Sequence, residues 1–156
     1  MDKIIFDIET KNTFQDVGGR DNMGALEVSL VGAYSYDQDK YMTFDEHELD
    51  KFGELVQHAF IIGFNSKGFD VPVLEKHYHY NLSSVPHYDI LEEINIRLGK
   101  RISLDLLAKA NLGQDEGKSG DGLDAIRYYR EGRIEELKKY CIQDVKITKE
   151  IFDLIV

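Results

Sequence analysis

The segment K-I-I-F-D-I-E-T, Lys3–Thr10, joins an apolar stretch to a pair of acids. Residues 3–8 have the composition and alternation of a strand buried in the centre of a sheet. Asp7 and Glu9 are two residues apart, so in a strand both side chains project to the same face. A charge in a buried strand is costly unless it is paired or bound to a metal ion, and two acids on one face also repel each other. The pattern therefore favours a functional pair. The alternative is that the strand ends early and leaves Glu9 exposed in a loop.

The remaining sequence divides into a first half rich in strands and a second half rich in helices. A long loop is predicted for residues 10–27. Further strands are predicted for residues 30–36, 40–44 and 59–64, the first two as a hairpin. Helices are predicted for residues 46–58, 70–80, 90–97, 103–111, 121–131 and 134–155. This order predicts an α/β fold, with a mixed sheet flanked by helices. A chain of 156 residues suits one domain, 1–156.

The last helix carries an acid on its apolar side. At about 100° per residue, one arc of helix 134–155 collects Leu137, Cys141, Val145, Thr148, Phe152 and Ile155. Asp144 falls inside this arc, where a solvated acid would not lie. Tyr140 precedes it by four residues, so both side chains lean over the same patch. The alternative is a buried Asp144 that pairs with an arginine or caps a neighbouring helix.

Other polar residues have simple local interpretations. Asp70 follows a buried strand and precedes a helix with Pro72 in its first turn, which taken alone suits an N-cap. Asn65 suits a loop residue tied to its own backbone. Asp89 and Asp105 are near predicted helix starts, and capping explains both.

The composition limits the mode of binding. The net charge is −10, from 29 acidic and 19 basic residues. This acidity argues against holding nucleic acid by charge alone, because that mode needs a basic surface. It does not exclude an enzyme whose bound metal ions invert the local field. Cys141 is the single cysteine, which fits a reducing, cytoplasmic location. No apolar stretch is long enough for a membrane span, so no membrane partner is expected.

Acids at strand ends and on a helix can converge on one spot in such a fold. Oxygen ligands suit Mg²⁺ or Mn²⁺ better than zinc. Two such ions about 3.5–4 Å apart can clamp the attacking and leaving oxygens of a phosphodiester.

Three motifs resemble those of a known family. F-D-I-E-T at residues 6–10, N-S-K-G-F-D at 65–70 and Y-C-I-Q-D at 140–144 are similar, in order and spacing, to the three motifs of the DEDD-type 3′–5′ exonucleases. The Tyr-x-x-x-Asp spacing is that of the tyrosine-type (DEDDy) subgroup. The resemblance covers nearly the whole chain. It implies a ribonuclease H-like fold with a mixed five-stranded sheet.

The resemblance also implies roles for individual residues. The metal ligands of two Mg²⁺ or Mn²⁺ ions would be Asp7, Glu9, Asp70 and Asp144, with Asp7 bridging both ions. Tyr140 would orient the attacking water; with an ordinary pKa of about 10 it is a poor general base near neutrality. Thr10 and Asn65 would contact the terminal nucleotide.

Lys118 lies in G-K-S, but a complete phosphate loop is excluded because Leu112 stands where its first glycine should be. Lys118 is either a contact to a substrate phosphate or an ordinary solvated charge. The same two interpretations apply to Arg97, Lys100, Arg101 and Lys109.

The function expected from these residues is a two-metal 3′–5′ exonuclease that hydrolyses phosphodiester bonds and releases nucleoside monophosphates. Its partner would be the 3′ end of a single-stranded nucleic acid, delivered where necessary by a second protein. One alternative is a catalytically silent module of the same fold that binds nucleic acid or protein, which the acidity favours. The other is an endonuclease, which the Tyr-x-x-x-Asp spacing disfavours.

Overall fold

The computed structural model describes residues 1–113 and 120–156. Its centre is a five-stranded sheet in the order β3-β2-β1-β4-β5. The strands are β1 Lys3–Thr10, β2 Val28–Ser35, β3 Lys40–Asp45, β4 Phe60–Gly63 and β5 His87–Asp89. The pairs β1–β2 and β2–β3 are antiparallel, whereas β1–β4 and β4–β5 are parallel. The expected mixed five-stranded sheet is confirmed.

Helices cover the sheet on both faces. They are α1 Leu49–Val56, α2 Val71–Leu74, α3 Ile90–Leu98, α4 Leu104–Leu112, α5 Gly122–Arg130 and α6 Ile134–Ile155. A π-helical turn, Ser66–Asp70, precedes α2, and 3-10 turns occur at Arg20–Ala25, Glu75–His77 and Leu82–Ser84. No helix in the described ranges is both long and apolar enough to cross a bilayer.

Strand β1 lies in the middle of the sheet, and its two faces pack against different layers. Ile4, Phe6 and Ile8 join the core formed with α1 and α2. Ile5 joins a second core that includes residues of α4 and α6. Because side chains alternate along a strand, Asp7 and Glu9 share the face of Ile5 and lie toward α6.

The helix predicted for residues 70–80 is shorter and less regular than expected. The α-helix ends at Leu74 and a 3-10 turn ends at His77. Tyr78 and Tyr80 then leave the helical path, stack with ring centroids 5.5 Å apart and donate to the carbonyls of Leu49 and Gly53 in α1. A side chain on Gly53 would overlap the Tyr78 ring. Tertiary packing on α1 therefore ends this helix early.

The other differences are smaller. Strand β1 extends to Thr10, and the long loop contains the 3-10 turn Arg20–Ala25. Helix α1 begins at Leu49, three residues later than predicted. Strand β5 was not predicted, because its three residues are too few to show a periodicity.

Candidate functional site

The first acids of the site lie at the carboxyl end of β1. Glu9 is only 7% exposed although it lies next to the strand end. The alternative that Glu9 is an exposed loop residue is therefore wrong. One ligand atom each from Asp7, Glu9 and Cys141 lie within 4.8 Å of one another. Cys141 comes from α6, so this contact joins β1 to α6.

The close approach of α6 depends on a glycine in the neighbouring strand. Gly32 of β2 pairs directly with Asp7. A Cβ at Gly32 would lie 2.8 Å from Cys141 Sγ and 3.0 Å from a methyl carbon of Val145, closer than these atoms tolerate. Only glycine at this position lets α6 lie against the sheet beside Asp7.

Asp70 reaches β1 from the π-helical turn. Its Oδ2 accepts the backbone N–H of Ile8 at 3.1 Å, and its side chain makes no capping bond to α2. The N-cap interpretation of Asp70 is therefore wrong. The carboxyl group is 3% exposed. Burial, and then the negative charge of Asp7, raise the pKa of Asp70 well above its ordinary value.

The turn that carries Asp70 is held in place by a second buried acid, Asp89. Asp89 Oδ1 accepts the backbone N–H groups of Leu91 at 3.0 Å and Glu92 at 3.3 Å, so the predicted helix cap is confirmed. The same carboxylate accepts the N–H groups of Asn65 at 2.8 Å and Lys67 at 3.0 Å. Sequence reasoning missed this second role. These partners are 24 and 22 residues away, so no local pattern indicates them.

Helix α6 supplies the remaining residues. Asp144 is 4% exposed, as its place on the apolar arc predicts, and Tyr140 is equally buried. Asp144 and Asp7 line one cavity of about 250 Å³. Burial raises the pKa of Tyr140 above its ordinary value, and the charges of Asp144, Glu9 and Asp7 raise it further. The phenol therefore stays protonated near neutrality.

Asp105 also lines the cavity shared by Asp7 and Asp144, and sequence reasoning gave it no such place. The predicted capping role is wrong, because Ser103 is the N-cap of α4 and accepts the N–H of Leu106. Asp105 lies in the first turn and forms an ion pair with Lys109 at 3.0 Å. Its proximity to the site arises from the packing of α4 against α6.

The predicted substrate contacts lie in different places. Thr10 lines a larger, mostly apolar cavity of about 390 Å³, which it shares with Glu9, Phe14 and Phe69. Its hydroxyl donates to the carbonyl of Asn12. Asn65 lines a separate cavity on the other side of the π-helical turn. Lys118 lies outside the described residues.

Comparisons with known proteins identify the family. A family model described as the RNase_H superfamily matches residues 4–156. The chain belongs to the RNase H superfamily. A search of curated proteins gives no match.

Among solved structures, the family B DNA polymerase from the hyperthermophilic archaeon Pyrobaculum calidifontis is similar, with a TM-score of 0.75 and 19% identity over 99% of this chain and 24% of that one. Escherichia coli exonuclease I in complex with a dT13 oligonucleotide is similar over 99% of this chain and 40% of that one, with a TM-score of 0.65 and 13% identity. The chain thus spans about a quarter to two-fifths of the length of these proteins. At such identities the likeness concerns the fold.

The candidate site has a donor set suited to hard cations. We call the acids Asp7, Glu9, Asp70 and Asp144 the acidic cluster. Carboxylate oxygens are the ligands that Mg²⁺ and Mn²⁺ prefer. Cys141 adds a sulfur atom, but burial and then the charges of Asp7 and Glu9 raise the pKa of its thiol, which disfavours the thiolate form that acts as a metal ligand. The residues present therefore fit a hard divalent cation.

Proposed function

We propose that this chain is a divalent-metal-dependent 3′–5′ exonuclease that shortens a single nucleic acid strand and releases nucleoside monophosphates. The observation that carries the proposal is the acidic cluster itself. Its members come from β1, the π-helical turn and α6, yet three of the four are less than a tenth exposed. Burying several acids together is unfavourable unless a cation balances them. The motif order and the fold likeness to exonuclease I support the same function.

The acidic cluster would hold two Mg²⁺ or Mn²⁺ ions. When bound, the ions would make a water molecule more acidic and stabilise the oxygen that leaves the scissile phosphate. The raised pKa of Asp70 reflects its burial and the repulsion from Asp7, and a nearby cation would reverse the effect of that repulsion.

Tyr140 would position the attacking water. Its hydroxyl stays protonated because burial and the neighbouring acids raise its pKa. A protonated phenol can donate a hydrogen bond to a water oxygen, but it cannot remove a proton. Tyr140 therefore acts through orientation, and its removal should slow turnover without abolishing metal binding.

The cavity beside Glu9 would receive the terminal nucleoside. Its walls include Phe14 and Phe69, whose rings meet edge to face with centroids 5.8 Å apart. Aromatic and aliphatic walls suit the face of a base, and stacking on them does not depend strongly on base identity. Thr10 lies in the same cavity, so it would contact the terminal nucleotide.

Turnover of single strands tests the proposal. With Mn²⁺, the protein should release nucleoside monophosphates stepwise from an internally labelled DNA or RNA strand and should leave a circular strand intact. Asp144→Asn should stop the release and keep the fold, as judged by circular dichroism. Asp153→Asn is the matched control, because Asp153 lies on the same helix. Its partners are Lys149, in an ion pair at 2.8 Å, and the hydroxyl of Tyr36, and neither belongs to the acidic cluster.

Three outcomes would contradict the proposal. A folded protein that binds Mn²⁺ but degrades no strand would be a silent module of the same fold. Cleavage of the circular strand would make it an endonuclease. If Asp144→Asn is as active as Asp153→Asn and the wild-type protein, Asp144 has no part in the reaction.

A further inference from the structure

A groove separate from the acidic cluster runs along the other side of the π-helical turn. It encloses about 310 Å³ between this turn, the start of α3 and the segment that links α3 to α4. Its lining consists of Asn65, Lys67, Gly68, Asp89, Leu91, Glu92, Asn95 and Arg101. The turn that forms one wall ends at Asp70, so the groove and the acidic cluster share this turn.

The segment that links α3 to α4 brings one arginine, Arg101, to the groove. Residues 94–104 contain three basic residues and no acidic residue, in a chain whose net charge is −10. Gly99 has a φ of 70° and ends α3, a conformation that favours glycine. The chain reverses there and brings Arg101 to the groove. This stretch is locally basic in an acidic protein.

The acids in the groove already have partners within the chain. Asp89 accepts four backbone N–H groups, and Glu92 forms an ion pair with Lys67 at 2.6 Å. Among the residues that the structure describes, Arg101 forms no ion pair or hydrogen bond. Its guanidinium is therefore available to an anion from outside the chain.

Asn65 and Gly68 form a closely packed part of the groove lining. A Cβ on Gly68 would lie 2.8 Å from Asn65 Oδ1, so the amide of Asn65 packs directly over this glycine. Asn65 itself has a φ of 57°, a conformation that asparagine tolerates better than most residues. Its side-chain amide can donate to phosphate or sugar oxygens, and it lines the same groove as Arg101.

We propose that this groove binds the phosphodiester backbone of the strand upstream of the scissile bond, with Arg101 donating to a backbone phosphate and Asn65 contacting the adjoining sugar or phosphate. The inference rests on the proposed function, since it places the strand that the acidic cluster would cut. A guanidinium recognises a phosphate through two parallel N–H donors. Such a contact carries no base information, so the groove would accept any sequence.

Two substrates separate this groove from the reaction site. One is a labelled single-stranded oligonucleotide. The other is the p-nitrophenyl ester of thymidine 5′-monophosphate, which has no upstream strand. Arg101→Ala should raise KM for the oligonucleotide about tenfold, the loss expected for one charge-assisted contact. It should leave kcat/KM for the ester unchanged. Oligonucleotide binding can be followed by fluorescence anisotropy at several salt concentrations. In Arg101→Ala, the plot of log K against log salt concentration should be less steep by about one unit.

Arg97→Ala is the matched control. It removes the same charge from the same basic stretch, but Arg97 is not among the residues that line the groove, and it pairs with Glu93 at 3.5 Å. Arg101→Lys should restore binding only in part, because an ammonium lacks the paired donors.

The outcomes also separate failure of the groove from failure of the proposed function. If wild-type protein binds the oligonucleotide in an Arg101-dependent way but hydrolyses neither substrate, the groove stands and the exonuclease proposal fails. If both substrates are hydrolysed and Arg101→Ala behaves like Arg97→Ala, the groove proposal is overturned. It is overturned equally if wild-type protein binds no oligonucleotide, or if Arg101→Ala impairs the ester as much as the strand.

Discussion

Replacing Asp89 by asparagine would change one side-chain oxygen into an NH₂ group at the point where the π-helical turn meets α3. Oδ1 of Asp89 accepts the N–H groups of Asn65, Leu91 and Glu92, and the amide oxygen can keep these bonds. Oδ2 accepts the N–H of Lys67 at 3.0 Å. The new NH₂ group would face that donor. Asp89→Asn therefore removes one bond and leaves two donors in conflict.

The expected cost follows from these contacts. A hydrogen bond to a charged group contributes about 1.5–3 kcal/mol. Loss of the negative charge at the start of α3 removes about 0.3–1 kcal/mol of helix-dipole stabilisation. The free energy of unfolding should therefore fall by about 2–4 kcal/mol. Urea denaturation should show a lower midpoint with an unchanged slope, and the Lys67 amide should lose protection from hydrogen exchange.

A helix cap without the second role predicts a different result. Asparagine and aspartate are nearly equivalent N-caps, so a pure cap would make Asp89→Asn almost neutral. A loss below about 0.5 kcal/mol, the usual size of a surface substitution, would refute the argument that Asp89 holds the turn. Ser103→Ala provides the reference for a simple cap, because Ser103 accepts one N–H at the start of α4, and it should cost about 1 kcal/mol.

Two further predictions concern the packing of α6 and the response to acid. Gly32→Ala should lower the free energy of unfolding by about 1–3 kcal/mol, because the added Cβ overpacks against Cys141. Adding Cys141→Ala to the same chain should recover part of this loss. A double-mutant cycle measures the coupling, and strictly additive effects of the two substitutions would contradict the prediction. Burial lowers the pKa of His87 from 6.5 to about 4, and the charge of Asp89 partly opposes this shift. As the pH falls, the unfolded chain therefore binds a proton at His87 before the folded protein does. The contribution of His87 to stability is full above pH 6.5 and is lost as the pH falls toward 4. Because His87 is partly exposed, the free energy of unfolding should fall by about 1–2 kcal/mol rather than by the full linkage value. Denaturation at several pH values should show a smaller dependence of stability on pH in His87→Gln. The dependence should be unchanged in His47→Gln, which alters an exposed histidine.

The long elements of the fold could be predicted because their patterns are local. Helix α6 begins and ends at the predicted residues, since its twenty-two residues repeat an apolar arc over many turns. Asp144 was expected to be buried because it interrupts that arc, and it is. The arc fails only at its end, where Ile155 is 43% exposed in the last turn.

The segment between β4 and α3 could not be predicted in the same way. The π-helical turn, the early end of α2 and the short strand β5 are all decided by contacts with distant residues. Tyr78 and Tyr80 end the helix because their hydroxyl groups bond to α1, which lies 29 and 27 residues away. A local pattern predicts a helix there because nothing within the segment opposes one.

The sequence by itself determined the central strand, the last helix and the faces on which Asp7, Glu9 and Asp144 lie, because strand and helix periods assign each side chain to a face. The tertiary structure alone decided that Asp70 bonds to β1, that Asp89 holds its turn, that Asp105 and Cys141 lie beside Asp7, and that Arg101 lines the groove. Each of these depends on residues brought together from separate elements. Side-chain periodicity carries information about one element at a time. The distance between two elements depends instead on how tightly their contacting side chains pack. Gly32 is an example, because its lack of a side chain lets α6 approach β2.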